Sequence, residues 1–129
     1  MKDNKAKILL IEDDPFLLGM YSQKFELEGF EVVMASNGKD GLEIAKKEKP
    51  DLILLDVLIP HLNGFNVLKK LKESKETSEI PVVILTNLSQ QEEVKQGLSM
   101  GAEEYLIKAH HVPSEIVEKV RDVLTKKIK

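Results

Sequence analysis

Four apolar runs in this chain each end in a residue able to do acid–base or phosphate chemistry. Ile8-Leu9-Leu10-Ile11 is followed by Glu12-Asp13-Asp14, and Leu52-Ile53-Leu54-Leu55 by Asp56. Val82-Val83-Ile84-Leu85 is followed by Thr86, and Leu106-Ile107 by Lys108. Brought together, these carboxylates, one hydroxyl and one ammonium form a strongly anionic nest with a single cation. Two unit charges about 4 Å apart repel by about 4 kcal/mol at an effective dielectric of about 20, so such a nest takes up protons or a metal. Oxygen ligands without histidine or cysteine select a hard ion, magnesium before zinc. Magnesium often binds through one or two carboxylates plus a phosphate. A carboxylate nucleophile, with metal and lysine neutralising the oxygens of the moving group, suits phosphoryl transfer.

That chemistry requires the four runs to end on one rim, and the rest of the chain supplies the scaffold. Lys7 to Ile11 reads as a strand. Asp14 offers an N-cap with Pro15 in the first helical position. Leu17, Tyr21 and Phe25, with Leu18, give residues 15–28 an amphipathic helix stopped by Gly29. Glu31 to Ala35 is a second strand, expected at an edge, and brings no comparable polar group. Ser36-Asn37-Gly38 turns the chain into a short helix over Gly41 to Lys47, with Leu42 and Ala45 inward. After Lys49-Pro50 comes the continuously apolar strand Asp51 to Leu55, a pattern expected when both faces are covered. A loop over Val57 to Gly64 precedes a helix over Phe65 to Glu73. Ser74 to Glu79 is a polar connection, Pro81 to Leu85 a fourth strand, and Ser89 to Met100 a helix capped by Ser89. Glu104 to Ile107 is a fifth strand and Pro113 to Ile128 the last helix, with Ile116 or Val117, Val120 and Leu124 inward. Five strands alternating with five helices predict a parallel sheet covered on both faces. In such sheets ligands gather beyond the carboxyl ends of the strands.

Composition narrows the function. The 129 residues form one domain, 1–129, and one residue in three is Leu, Ile, Val or Phe, enough for a core without staples. There is no cysteine, which excludes disulfides and thiol chemistry. The formal net charge is −3 and Arg121 is the sole arginine, which argues against nucleic-acid binding. The apolar runs are too short to span a bilayer and the N-terminus is unlike a signal peptide, so no membrane partner and a cytoplasmic location are expected.

At these residues the sequence resembles the receiver domain of two-component response regulators. The matching pieces are Ile8 to Asp14, Pro50 to Asp56 with Pro60 and Gly64 four and eight residues on, Pro81 to Thr86, and Gly101 to Lys108. The fold implied is α/β: a doubly wound, flavodoxin-like parallel sheet of five strands in the order 2-1-3-4-5, with five helices. The resemblance implies that Asp56 receives a phosphoryl group from a histidine kinase, a phosphotransfer protein or a small phosphodonor. Asp13 is then a direct Mg²⁺ ligand, Glu12 acts through water, and the backbone carbonyl of Leu58 completes the set. Thr86 donates its hydroxyl to the phosphoryl group and Lys108 pairs with it. Tyr105 swings between outward and inward positions as Thr86 moves. The signal leaves through the fourth helix, fifth strand and fifth helix to a downstream protein, from a monomer or a phosphorylation-dependent dimer. The domain would stand alone, catalysing only its own phosphorylation and dephosphorylation.

Plainer readings stand beside these. Asp14 is explained by helix capping. Tyr105 alone reads as a half-buried packing aromatic, and Met20, Met34 and Met100 as core filler. His61 is expected to be exposed. His110-His111 are adjacent and cannot share a helix face, so a solvated loop is expected rather than a metal pair. Two departures from the family pattern touch the site: Ala109 stands where a proline usually follows the lysine, and Asn87 where a small residue usually follows the hydroxyl. A cis bond before alanine costs about 2.5–4 kcal/mol, so a trans bond is expected, and the loop carrying Lys108 is open to a different course. Leu58 and Leu88 are apolar where they would flank the phosphoryl group and hinder water. The rival readings are a phosphorylation-independent interaction module on the same scaffold, a flavin carrier and an aspartate-nucleophile phosphatase. Glu12-Asp13-Asp14 suits a flavin phosphate poorly, and Leu58 stands where the phosphatase needs a second aspartate.

Overall fold

The structure, a computed structural model, describes residues 5–59 and 63–128. Pro60 and His61, and with them part of the expected 57–64 loop, lie outside the described residues. Strands β1 (Lys7–Ile11), β2 (Glu31–Ala35), β3 (Leu52–Leu55), β4 (Val82–Thr86) and β5 (Glu104–Ile107) alternate with helices α1 (Pro15–Leu27), α2 (Gly38–Glu48), α3 (Gly64–Glu73), α4 (Gln91–Ser99) and α5 (Pro113–Ile128). All pairings are parallel and the order is β2-β1-β3-β4-β5, the doubly wound arrangement expected. Among the described residues no helix is long and apolar enough to cross a membrane.

Strand alternation divides the core between the two faces. Leu9, Ile11, Ile53, Leu55, Val82 and Ile84 pack with Ala45 of α2 and Val67, Leu68 and Leu71 of α3. Ile8, Leu10, Leu52, Leu54, Val83, Leu85 and Leu106 pack with Tyr21 and Phe25 of α1 and Ile116, Val117, Val120 and Val123 of α5. The central strands are buried at every position, so their uninterrupted apolar runs serve both layers. Fully burying one such Leu or Ile contributes about 1.5–3 kcal/mol.

The helix starts show where local chemistry was readable. Asp14 Oδ1 accepts from the amides of Phe16 (2.9 Å) and Leu17 (3.3 Å), so Asp14 is the cap of α1. α2 begins at Gly38, three residues before the expected Gly41, because Asn37 Oδ1 accepts from the Asp40 amide at 2.8 Å. No apolar residue marks that first turn, so periodicity misses it. α4 is shorter than the expected Ser89 to Met100. Its N-cap is Gln90, with no side-chain cap bond, and Glu92 and Glu93 in the first turn complement the dipole instead. Met34 is 47 % exposed rather than core filler, because it sits on edge strand β2, flanked only by β1.

The sole arginine joins two helices on one face. Arg121 of α5 donates from Nη2 to the carbonyl oxygen of Glu28 (3.0 Å) and to Glu28 Oε1 (3.1 Å) at the C-terminal end of α1. Its guanidinium lies 5.6 Å from the centre of the Phe30 ring, which meets Phe25 edge-on.

Candidate functional site

Strand register alone brings the four expected groups to one rim. Ile11 pairs with Leu55, so Glu12 and Asp56 leave their strands level with each other. Leu55 pairs with Ile84 and Thr86 with Ile107, which sets Thr86 and Lys108 beside them. The backbone behind Asp56 is braced by α3. A Cβ on Gly64 would fall 2.2 Å from Val57 Cα and 2.9 Å from the Asp56 carbonyl oxygen, so only glycine lets the helix begin there.

Asp56 is buried and fully engaged. Its Oδ1 accepts from the Thr86 hydroxyl at 2.7 Å and from the Leu58 amide at 2.9 Å. Its Oδ2 accepts from the Lys108 ammonium at 2.8 Å. Lys108 also donates to Glu12 Oε1, and Glu12 Oε2 accepts from the Asp14 amide at 3.1 Å. Lys108 is therefore placed at the site despite the departure at Ala109, and its bond to Ala109 is trans. A short 3-10 turn, Lys108–His110, follows β5 directly.

Charge explains the titration of the cluster. Burial raises the Glu12 carboxyl above its ordinary 4.5, and the hydrogen bond from Lys108 only partly opposes this. Burial pulls the Lys108 ammonium down, but its hydrogen bonds to Asp56 and Glu12 outweigh that and leave it above its ordinary 10.5. One ammonium faces three carboxylates, so the site retains a demand for positive charge. Glu12, Asp13 and Asp56 each present an oxygen within 4.8 Å of the other two. Asp13 is the exposed member, open to solvent and an incoming ion. Three hard oxygen donors at this spacing fit Mg²⁺.

Thr86 leads away from the carboxylate toward the surface. Its hydroxyl also accepts from the Leu88 amide at 3.3 Å, and the Leu88 carbonyl accepts from the Tyr105 hydroxyl at 2.7 Å. Tyr105 thus lies inward, half-buried. Burial, with Glu93 and Asp56 adding to it, pushes its phenol up to about 12. Leu58 is 52 % exposed beside Asp56, whereas Leu88 packs against the core. The two histidines form no pair: His110 is exposed, and His111 Nδ1 faces Glu115 at 3.5 Å.

Two contacts were not legible in the sequence. One is the pairing of Lys108 with Glu12, ninety-six positions apart. The other joins the two departures: Asn87 Oδ1 accepts from the Ala109 amide at 3.1 Å. The only advance signal for the second was that two unusual residues each follow a site residue.

Residues 8–121 match the response regulator receiver domain family. Protein PilH of Pseudomonas aeruginosa is 40 % identical over 103 residues, covering 80 % of this chain and 85 % of PilH. The DNA-binding dual master transcriptional regulator RpaA of Synechocystis is 38 % identical over 118 residues, covering 92 % of this chain and 48 % of RpaA. The chain thus spans about half the length of the transcriptional regulators it matches. A CheY-like response regulator receiver domain protein from Methanospirillum hungatei superposes with a TM-score of 0.89 at 27 % identity, over 96 % of this chain and 97 % of that one.

Proposed function

The chain belongs to the response regulator receiver domain family, and from that premise we propose that it accepts a phosphoryl group on Asp56 and signals by protein–protein contact. The single observation that carries this reading is the convergence of Thr86 and Lys108 on the two oxygens of one buried carboxylate. An Asp56 oxygen attacks the phosphorus of a phosphohistidine or a small phosphodonor. The new O–P bond forms as the donor's bond to phosphorus breaks, and the donor leaves with that electron pair. Mg²⁺, held by Asp13, Asp56 and the Leu58 carbonyl with Glu12 acting through water, would offset charge on the transferred oxygens.

The protein's own donors do the rest. Thr86 already donates to the carboxylate and Lys108 pairs with its charge, so the same hydroxyl and ammonium are at hand for the phosphoryl oxygens with little reorganisation. Redirecting the Thr86 hydroxyl disturbs its bond with the Leu88 amide, and through the Leu88 carbonyl the seat of Tyr105. A local charge change thereby biases a two-state surface formed by α4, β5 and α5. The chain is then no enzyme toward other substrates, and a histidine kinase or phosphotransfer protein and a downstream protein are its partners.

Phosphodonor treatment with and without Mg²⁺, read by intact mass, tests this. The wild type gains one phosphoryl mass only with Mg²⁺, and Asp56→Asn gains none. No gain in the wild type, or an undiminished gain in Asp56→Asn, overturns the assignment. Ala109 in place of proline favours a phosphorylation-independent interaction module, but the contact of Lys108 with Asp56 weighs against that reading.

A further inference from the structure

Asn87 directly follows the hydroxyl of the site and Ala109 directly follows its ammonium. Their hydrogen bond, from the Ala109 amide to Asn87 Oδ1 at 3.1 Å, is the side-chain link between the β4–α4 and β5–α5 loops at this point. Ala109 can donate only because it is not proline, which has no N–H. Asn87 can accept only because it carries a carbonyl oxygen on a short stem. The side chain of Asn87 is accordingly spent on the neighbouring loop.

We propose that Asn87 is a positioning residue: by latching Ala109 it holds Lys108 at a fixed distance from Thr86, so that hydroxyl and ammonium bind the phosphoryl group as one unit. The inference rests on the phosphoacceptor reading and deepens it. Lys108 begins a 3-10 turn whose His111 amide reaches back to the Lys108 carbonyl only at 3.4 Å. The β4–β5 ladder ends with Thr86 opposite Ile107, so beyond it the turn is held to the β4–α4 loop by the latch from Asn87. Loosening the latch frees Lys108 to leave Oδ2 of Asp56. That weakens the hold on a tetrahedral anion. It does not weaken the acids that hold a metal, because Lys108 competes with a cation for the same oxygens.

The test is a cycle of four full-length proteins: wild type, Asn87→Ala, Ala109→Pro and the double variant. Each is titrated with Mg²⁺ alone and then with beryllofluoride at saturating Mg²⁺, followed by amide NMR shifts. Hydrogen exchange at Ala109 is measured in metal-free wild type and Asn87→Ala. A neutral hydrogen bond of this kind corresponds to about two- to tenfold in an equilibrium. Each single variant therefore binds beryllofluoride about two- to tenfold more weakly, and the double variant is no weaker than the weaker single. Mg²⁺ affinity holds or rises, and Ala109 exchanges faster in Asn87→Ala. Independent, additive losses, a parallel loss of Mg²⁺ affinity, or unchanged beryllofluoride binding in Asn87→Ala overturn the latch alone. A wild type that binds no beryllofluoride overturns the phosphoacceptor reading, and the latch with it.

Discussion

Tyr105 donates a hydrogen bond from its hydroxyl to the carbonyl of Leu88 at 2.7 Å, and Gly97 makes the space in which its ring lies. A Cβ on Gly97 would sit 2.9 Å from Tyr105 Cδ2 and 2.7 Å from Ile84 Cδ1, the movable end of a core side chain. Gly97→Ala is expected to drive the ring outward at a cost of about 1–3 kcal/mol. Fluorotyrosine NMR on a Tyr21→Phe background reads the ring position directly. An unshifted Tyr105 resonance would show that the space can be shared.

The same background isolates one phenol. Tyr105 should ionise near 12 rather than its ordinary 10.0, because burial opposes the phenolate and Glu93 and Asp56 add to it. A raised folded value means this contribution to stability is complete below 10.0 and drains away as pH climbs toward 12. Absorbance titration of the phenolate checks it, and a midpoint at the ordinary value would contradict the inward seat.

Lys108 is the only cation bonded to Asp56 and Glu12 among the described residues. Lys108→Gln leaves two buried carboxylates uncompensated and is expected to cost about 3–5 kcal/mol at neutral pH. The folded ammonium lies above 10.5. Its stabilisation is therefore whole below 10.5 and is lost as pH rises through the folded value. Urea unfolding should show a constant gap between wild type and variant up to about pH 10, closing at higher pH. A gap that closes near neutrality would mean that the ammonium is not held as described.

Among the described residues no hydrogen bond anchors the exposed Asp13 carboxylate, yet it stands in the triad of oxygens. Asp13→Asn should relieve repulsion and raise metal-free stability by about 0.5–1 kcal/mol, while weakening Mg²⁺ at least about tenfold. Calorimetric Mg²⁺ titration beside urea unfolding separates the two effects. Loss of stability without loss of metal affinity would remove Asp13 from the ligand set.

Leu58 and Leu88 were both expected to shield a phosphoryl group from water, but they are placed differently. Leu58 stands exposed at the mouth, while Leu88 is tied into the core and bonded to Tyr105. Leu58→Asn should shorten the phosphorylated lifetime severalfold and Leu88→Asn should do so less. Phosphate loss after donor removal measures this, and a lifetime indifferent to both changes would dispose of the shielding idea.

Most of the sheet and site was legible because both follow from short-range patterns. Apolar runs of four or five residues could only be buried strands, and their polar successors could only lie on the rim. What escaped has two causes. Asn37 sets the start of α2 by a side-chain cap that carries no hydrophobic period, and α4 starts after Gln90 with no side-chain cap at all, so α2 came out too short and α4 too long. The bonds of Lys108 to Glu12 and of Asn87 to Ala109 join residues far apart in sequence, where only the folded register decides who meets whom. Met34 is a separate case: its strand was expected at an edge, but its side chain was still counted as core filler, and on that edge strand it lies 47 % exposed.

The bond from Arg121 to Glu28 makes α4 and α5 mechanically unequal. α5 is rooted by four buried aliphatic residues and riveted across to the end of α1. α4 buries only Gly97 and starts without a side-chain cap. Local opening is cheapest where burial and capping are least. The protein therefore has one stiff wall, α5, and one compliant wall, α4.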